Sequence, residues 1–234
     1  MLIARTPVRI SFGGGGTDLP SYVQKHGGAA LSTTINKYVY TILHERNDGN
    51  LQIISSDLQV FENWKHLNNI DLSGTPLALP LAVLKSLGQD VSLDLFLASE
   101  VPPGTGLGSS AAVCVNTLHA VAAYLKEQPS KHGLAQQAFS IVRQAFGKPA
   151  GKQDEFAVSF GGLNYFTFHP DGATSVDPLQ LAPETLRALE QKLMLFFTGQ
   201  ARDSRTILER QDQSIHAGDD AVMGSLHEIH RLAR

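Results

Sequence analysis

Three glycines at alternating positions, Gly104, Gly106 and Gly108, run directly into Ser109 and Ser110 and then into a long apolar segment, in the stretch "VPPGTGLGSSAAVCVNTLHAV". The first amides of a helix have no intrahelical acceptor, and the aligned peptide dipoles leave about half a positive charge there, so an anion is the natural occupant. Glycines let backbone N–H groups approach phosphate oxygens without a side-chain clash, and the two hydroxyls can complete the cradle or hold a cation attached to it. The alternative is a tight strand-to-helix connection capped by Ser109.

Known phosphate and nucleophile motifs do not fit. A Walker loop needs Lys before its Ser or Thr, and here Gly108 is followed by Ser109. The dinucleotide pattern G-x-G-x-x-G is longer by one residue than G-x-G-x-G, and G-x-S-x-G is absent. A second glycine cluster, "GGGGTDLP", follows the alternating segment "VRISF", which brings Arg9 and Asp18 toward one edge of a half-buried strand. The nine histidines show no metal spacing, and "HEIH" reads as a helix face. Cys114 is expected to be a packed small residue, and Lys152 a solvated loop charge.

These residues need a scaffold. Strands are expected at "VRISF", "INKYVYTILHE", "LQIISSD" and "VSLDLFLAS", with the second and third paired as a hairpin around Asn47–Asn50. The Leu77–Leu87 run predicts a short helix ending at Gly88. Apolar residues at Ala111, Val115, Leu118, Val121 and Leu125 predict an amphipathic helix after the glycine loop, and Leu134 to Ala145 a second one closed by Gly147. "PAGKQDEF" reads as a loop, "GGLNYFTF" as a strand, and the turn-rich Pro170–Pro183 segment as a border. Beyond it a short helix, an apolar strand "KLMLFFTG" and two helical segments are expected. The last helix reaches Arg234 without a capping glycine, as in a fragment.

At 234 residues, with 42% hydrophobic and 18% charged residues, the chain suffices for one large domain or one domain and part of another. A net charge of −3 lacks the basic footprint of a nucleic-acid binder. No window approaches the roughly 18 apolar residues of a membrane span. One cysteine, and a start without a signal-peptide core, point to the cytoplasm.

"PPGTGLGSSAA" resembles the ATP loop of the GHMP kinases, and "RTPVRISFGGGGTDLPSYVQKHGGAALSTTINKY" and "GKQDEFAVSFGGLNYFTF" are similar to the heptose 7-phosphate kinase branch of that superfamily. The resemblance covers Arg5 to Phe168 in order. It implies an α+β fold: a ribosomal protein S5 domain 2-like N-terminal domain over 1–180 and a partial ferredoxin-like domain over 181–234. It implies ATP against Pro103, Gly104, Thr105, Gly106, Leu107, Gly108, Ser109 and Ser110, with Ser110 toward Mg2+. Asp154 would be the carboxylate beside the attacking hydroxyl, and Arg9 the basic group steadying it or the transferring phosphoryl. Gly15, Gly16, Thr17 and Asp18 would bind the sugar, and Arg202, with Arg205, its existing phosphate.

The implied function is ATP-dependent phosphorylation of the anomeric hydroxyl of a heptose 7-phosphate for cell-surface glycans. The alternatives are a galactose- or fucose-type kinase and an inactive binding relative. Two departures bear on this. Val142 stands where the family commonly has a glutamate metal ligand, with Glu155 nearby where the branch has glutamine. The family's third glycine-rich segment has no counterpart before Arg234.

Overall fold

The computed structural model describes residues 1–67, 70–88, 90–147, 149–200 and 204–234. Seven strands form one sheet: β1 (Leu2–Gly13), β2 (Gly28–Glu45), β3 (Leu51–Ser55), β4 (Val60–Trp64), β5 (Leu93–Ser99), β6 (Leu163–Phe168) and β7 (Thr174–Pro178). Their order is β4-β3-β5-β2-β6-β7, with β1 lying along β2. All pairs are antiparallel except β3 with β5. The helices are α1 (Pro20–His26), α2 (Ala78–Lys85), α3 (Ser109–Tyr124), α4 (Lys131–Phe146), α5 (Gln153–Phe160), α6 (Pro183–Lys192), α7 (Ser204–Ala217) and α8 (Asp220–Ala233). The α+β class expected from the sequence holds.

The expected hairpin of "INKYVYTILHE" with "LQIISSD" does not form. β5 lies between them, so that Leu95 faces Leu43 of β2 and Ile53 of β3. Leu93, Leu95 and Leu97 are all buried, and a strand with apolar residues at every second position gains more from two neighbours than from an edge. The connection at 46–50 therefore spans two strand spacings, about 9–10 Å. Arg46 braces it by donating to Asp48 on its own loop, to Gln52 of β3 (3.1 Å) and to Asp94 of β5 (2.5 Å).

α3 is not amphipathic, contrary to the reading of its apolar stripe. Ala112, Cys114, Asn116, Thr117 and Ala120 are buried together with that stripe, so α3 is the central helix of the layer on the sheet. Its one buried amide is satisfied across the layers: Thr6 donates to Asn116 (3.0 Å), which donates to Thr41 (2.9 Å). Cys114 is a packed core residue as expected, and burial pushes its thiol pKa well up.

The segment read as the loop "PAGKQDEF" holds the start of α5, which buries Phe156, Ala157 and Val158. Its cap comes from Asp18, far away in sequence, and no local pattern announces it. The turn-rich 170–183 segment contains β7, paired with β6. "KLMLFFTG" forms no strand: among the described residues nothing pairs with it, and Leu193, Met194, Leu195, Phe196 and Phe197 are exposed. An apolar run becomes a strand only where a neighbour completes its hydrogen bonds. α7 and α8 return to the body of the molecule, where Ile215 and Leu226 join Leu19 and Tyr22 in a small buried cluster.

Candidate active site

Two adjacent devices build the site. The first is the glycine loop. Gly104, Gly106 and Gly108 have φ of 75°, 76° and 71°, a region that side chains with a Cβ adopt only under strain. Leu107 anchors the loop in the core, while Pro103 and Gly106 are exposed. Gly108 is the residue before α3, and among the described residues no side chain caps that end, so the alternative of a connection capped by Ser109 does not form. Ser109 is instead the first helical residue and half-buried; Ser110 is exposed. Thr105 donates to the Pro102 carbonyl (3.1 Å), which fixes the loop's shape. Among the described residues the first amides of α3 thus meet no side-chain acceptor, and a helix start of this kind carries a net positive end that suits an anion.

The second device is the glycine turn after β1. Gly14 packs so closely on the Ala29–Ala30 backbone that a Cβ there would overlap it. Thr17 is buried and shapes the turn from inside, its one hydroxyl proton shared between the carbonyls of Gly14 (2.7 Å) and Ala29 (2.9 Å). Asp18 is also buried; its Oδ1 accepts from the Gly16 amide (3.2 Å) and its Oδ2 from the Gln153 amide (2.9 Å). Asp18 therefore caps α5 and ties the turn to it. Burial raises its pKa, and those backbone bonds pull the other way. Gly15 is exposed at the tip of the turn.

Arg9 joins the two devices. Its Nε and Nη2 donate to Asp154 Oδ1 (2.8 and 2.6 Å), its Nη1 donates to the Gly106 carbonyl (2.6 Å), and its backbone amide donates to the Leu107 carbonyl (2.9 Å). The Arg9 side chain is 12% exposed and that of Asp154 36%, so the arginine is held within the wall while the carboxylate reaches solvent. A carboxylate with one oxygen committed to a guanidinium keeps the other for a substrate proton.

Gln153 was not singled out from the sequence. It is buried, and its Nε2 donates to the hydroxyls of Ser11 and Ser32, both at 2.5 Å, so one residue pins α5 to β1 and β2. The signal was present in the polar start of "QDEF", but only the folded pairing of β1 with β2 shows what it meets. Glu155 is 4% exposed, its Oε2 has no hydrogen-bond partner, and burial, reinforced by Asp154, holds its pKa well above the carboxylate range. Val142 packs against the main apolar cluster. Among the described residues no group of three His, Cys, Asp or Glu could hold a metal ion. Ser110 is exposed on the glycine loop, and the Asp154 carboxylate reaches solvent. Arg202 lies outside the described residues.

The sequence pattern of the GHMP kinases N terminal domain matches residues 78–162, which include the glycine loop and Asp154. The D-glycero-alpha-D-manno-heptose 7-phosphate kinase of Campylobacter jejuni is 30% identical over 229 residues, 96% of this chain and 67% of that protein. The chain thus spans about two thirds of that relative's length. A crystal structure of a D-glycero-D-manno-heptose 1-phosphate kinase from Bacteroides thetaiotaomicron superposes with a TM-score of 0.79 at 26% identity, over 97% of this chain and 76% of that one. The mevalonate kinase of Methanococcus jannaschii shares the fold, with a TM-score of 0.62 at 15% identity over 99% of this chain and 79% of that one. With an uncapped helix start behind three left-handed glycines, a carboxylate bound to that loop through Arg9, and relatives matched along nearly its whole length, the chain belongs to the GHMP kinase family, as an ATP-dependent sugar kinase.

Proposed function

We propose that the chain transfers the γ-phosphoryl of ATP to the anomeric hydroxyl of a heptose 7-phosphate, in the supply of cell-surface glycan precursors. The observation that carries this reading is the Arg9 bridge, which sets the carboxylate of Asp154 and the carbonyl of Gly106 on one guanidinium. The heptose acceptor is taken from the Campylobacter relative. On this reading residues 1–180 form the nucleotide-binding domain and residues 181–234 part of the second.

The triphosphate lies on the loop Pro103–Ser110, its oxygens on the amides at the start of α3. The acceptor hydroxyl sits beside Asp154, which takes its proton as the new O–Pγ bond forms and the bond from Pγ to the bridging oxygen breaks, releasing ADP. Because an anomeric hydroxyl is more acidic than an ordinary alcohol, Asp154 needs little basicity. Arg9 holds Asp154 in place, and its edge offers positive charge to the transferring group. Gly15, Gly16 and the turn held by Thr17 and Asp18 line the acceptor side. A magnesium ion would supply positive charge to the phosphates of the nucleotide. Of this chain's residues Ser110 would hold it, which suits an ion brought in on the nucleotide rather than one held beforehand by a carboxylate cage.

Sugar-dependent ADP release across a panel of phosphorylated and free sugars tests the proposal. Preference for a heptose 7-phosphate supports it, and preference for free galactose or fucose replaces it with another sugar kinase. Val142 in the apolar cluster favours one further reading, a protein that binds nucleotide without turnover. ATP raising the melting temperature while no sugar is consumed, even with manganese, selects that reading.

A further inference from the structure

α7 packs on α1 through a stripe that repeats every three to four residues. Leu208 and Ile215 enter the cluster with Leu19 and Tyr22, and between them, three residues after the first and four before the second, the stripe places Gln211. A polar residue on the inner face of a helix needs a reason. Gln211 stands directly over Gly16: a Cβ on that glycine would overlap its amide group. Gly16 has φ of 88°, so the turn already demands glycine there, and the missing side chain leaves room for the amide. Gln211 is half-buried, and its amide makes no hydrogen bond to the described residues, although it offers two donors and an acceptor.

Another amide lies close to the same turn. The Nε2 of Gln153 is spent on Ser11 and Ser32, and its Oε1 is the atom nearest the outer side of Gly15. The turn is thus approached by Gln153 from α5, the helix that carries Asp154, and by Gln211 from α7. A sugar hydroxyl both donates and accepts, and an amide with unused donors and acceptor is its natural complement.

We propose that Gln211 is a specificity-determining residue whose side-chain amide reads a hydroxyl of the acceptor sugar across the Gly15–Gly16 turn. This rests on the sugar-kinase reading above. α7 then serves as part of the acceptor wall, and not solely as packing for α1. A residue that reads one hydroxyl acts on the acceptor and leaves ATP binding alone.

The test is steady-state kinetics of Gln211→Leu and Gln211→Met, which keep the stripe apolar and filled, with the acceptor and ATP varied in turn over the sugar panel. Loss of a hydrogen bond of ordinary strength raises the acceptor KM about three- to tenfold in both variants, with the ATP KM and the melting temperature unchanged. An acceptor KM equal to that of the parent overturns the assignment and leaves the kinase reading standing. Acceptor and ATP constants moving together, with a lowered melting temperature, also overturn it, since that is the mark of packing alone. A parent protein that phosphorylates no sugar overturns the kinase reading and this assignment with it.

Discussion

Replacing Glu155 by glutamine should stabilise the protein, and by an amount that grows with pH. Glu155 is buried in α5, its Oε2 is unpartnered, and burial together with the charge of Asp154 holds its proton on, against the opposing pull of Arg9. In the unfolded chain the same carboxyl ionises near its ordinary pKa of 4.5. Between that value and its raised folded-state pKa, the native protein keeps a proton that the unfolded chain has lost, so each rise of one pH unit favours unfolding about tenfold, roughly 1.4 kcal/mol. Below pH 4.5 both states are protonated and the penalty disappears; above the folded-state pKa both are ionised and the loss stops growing. Glutamine has the shape of the protonated acid and does not titrate, so Glu155→Gln removes this slope. Urea unfolding of both proteins at a series of pH values rising from about 5 should show a stability difference that widens with pH, by at most about 1.4 kcal/mol per unit, until Glu155 ionises in the folded protein. The nearby carboxyl of Asp18, whose pKa is also raised, is common to both and largely cancels. A difference that stays constant across this range would refute the reasoning, because it would mean that Glu155 ionises alike in both states.

Three other outcomes are expected. Asp154→Asn should leave nucleotide binding, read by calorimetry, nearly intact while abolishing sugar-dependent ADP release; retained turnover would remove Asp154 from the mechanism. Gly151→Ala should destabilise by about 1–3 kcal/mol, since its Cβ would overlap the Asp18 carboxylate that caps α5, and chemical denaturation checks this. Ser130→Ala removes the cap that accepts from the Gly133 amide (3.0 Å) at the start of α4 and should lower stability by about 1 kcal/mol without changing any KM.

The parts of the site legible in the sequence were those written in consecutive residues. Glycines at 104, 106 and 108 with a helical period behind them announced a loop opening a helix, because the backbone angles needed there exclude most other residues. Strand alternation placed β1 and β5 correctly. What failed was set by distant partners. Nothing near "LQIISSD" says that β5 will enter beside it, and nothing near Gln153 says that Asp18 will cap it. The apolar run at 193–197 shows the converse, for β propensity without a neighbouring ladder produces no strand. Arg9 and Asp154 were matched by resemblance and are indeed bonded, but the hold of the same guanidinium on Gly106 was visible only in three dimensions.

The placement of β5 between β2 and β3 bears on how the molecule is made. During synthesis β2 and β3 emerge first, joined by only five residues, while the strand that belongs between them follows some forty residues later. Any early zipping of those two neighbours has to come undone before the sheet can close, and the parallel half of that closure is the slow, long-range kind. The clasp of Arg46 on Asp94 can close only after that insertion, so it reports the entry of β5 and not any earlier pairing of β2 with β3.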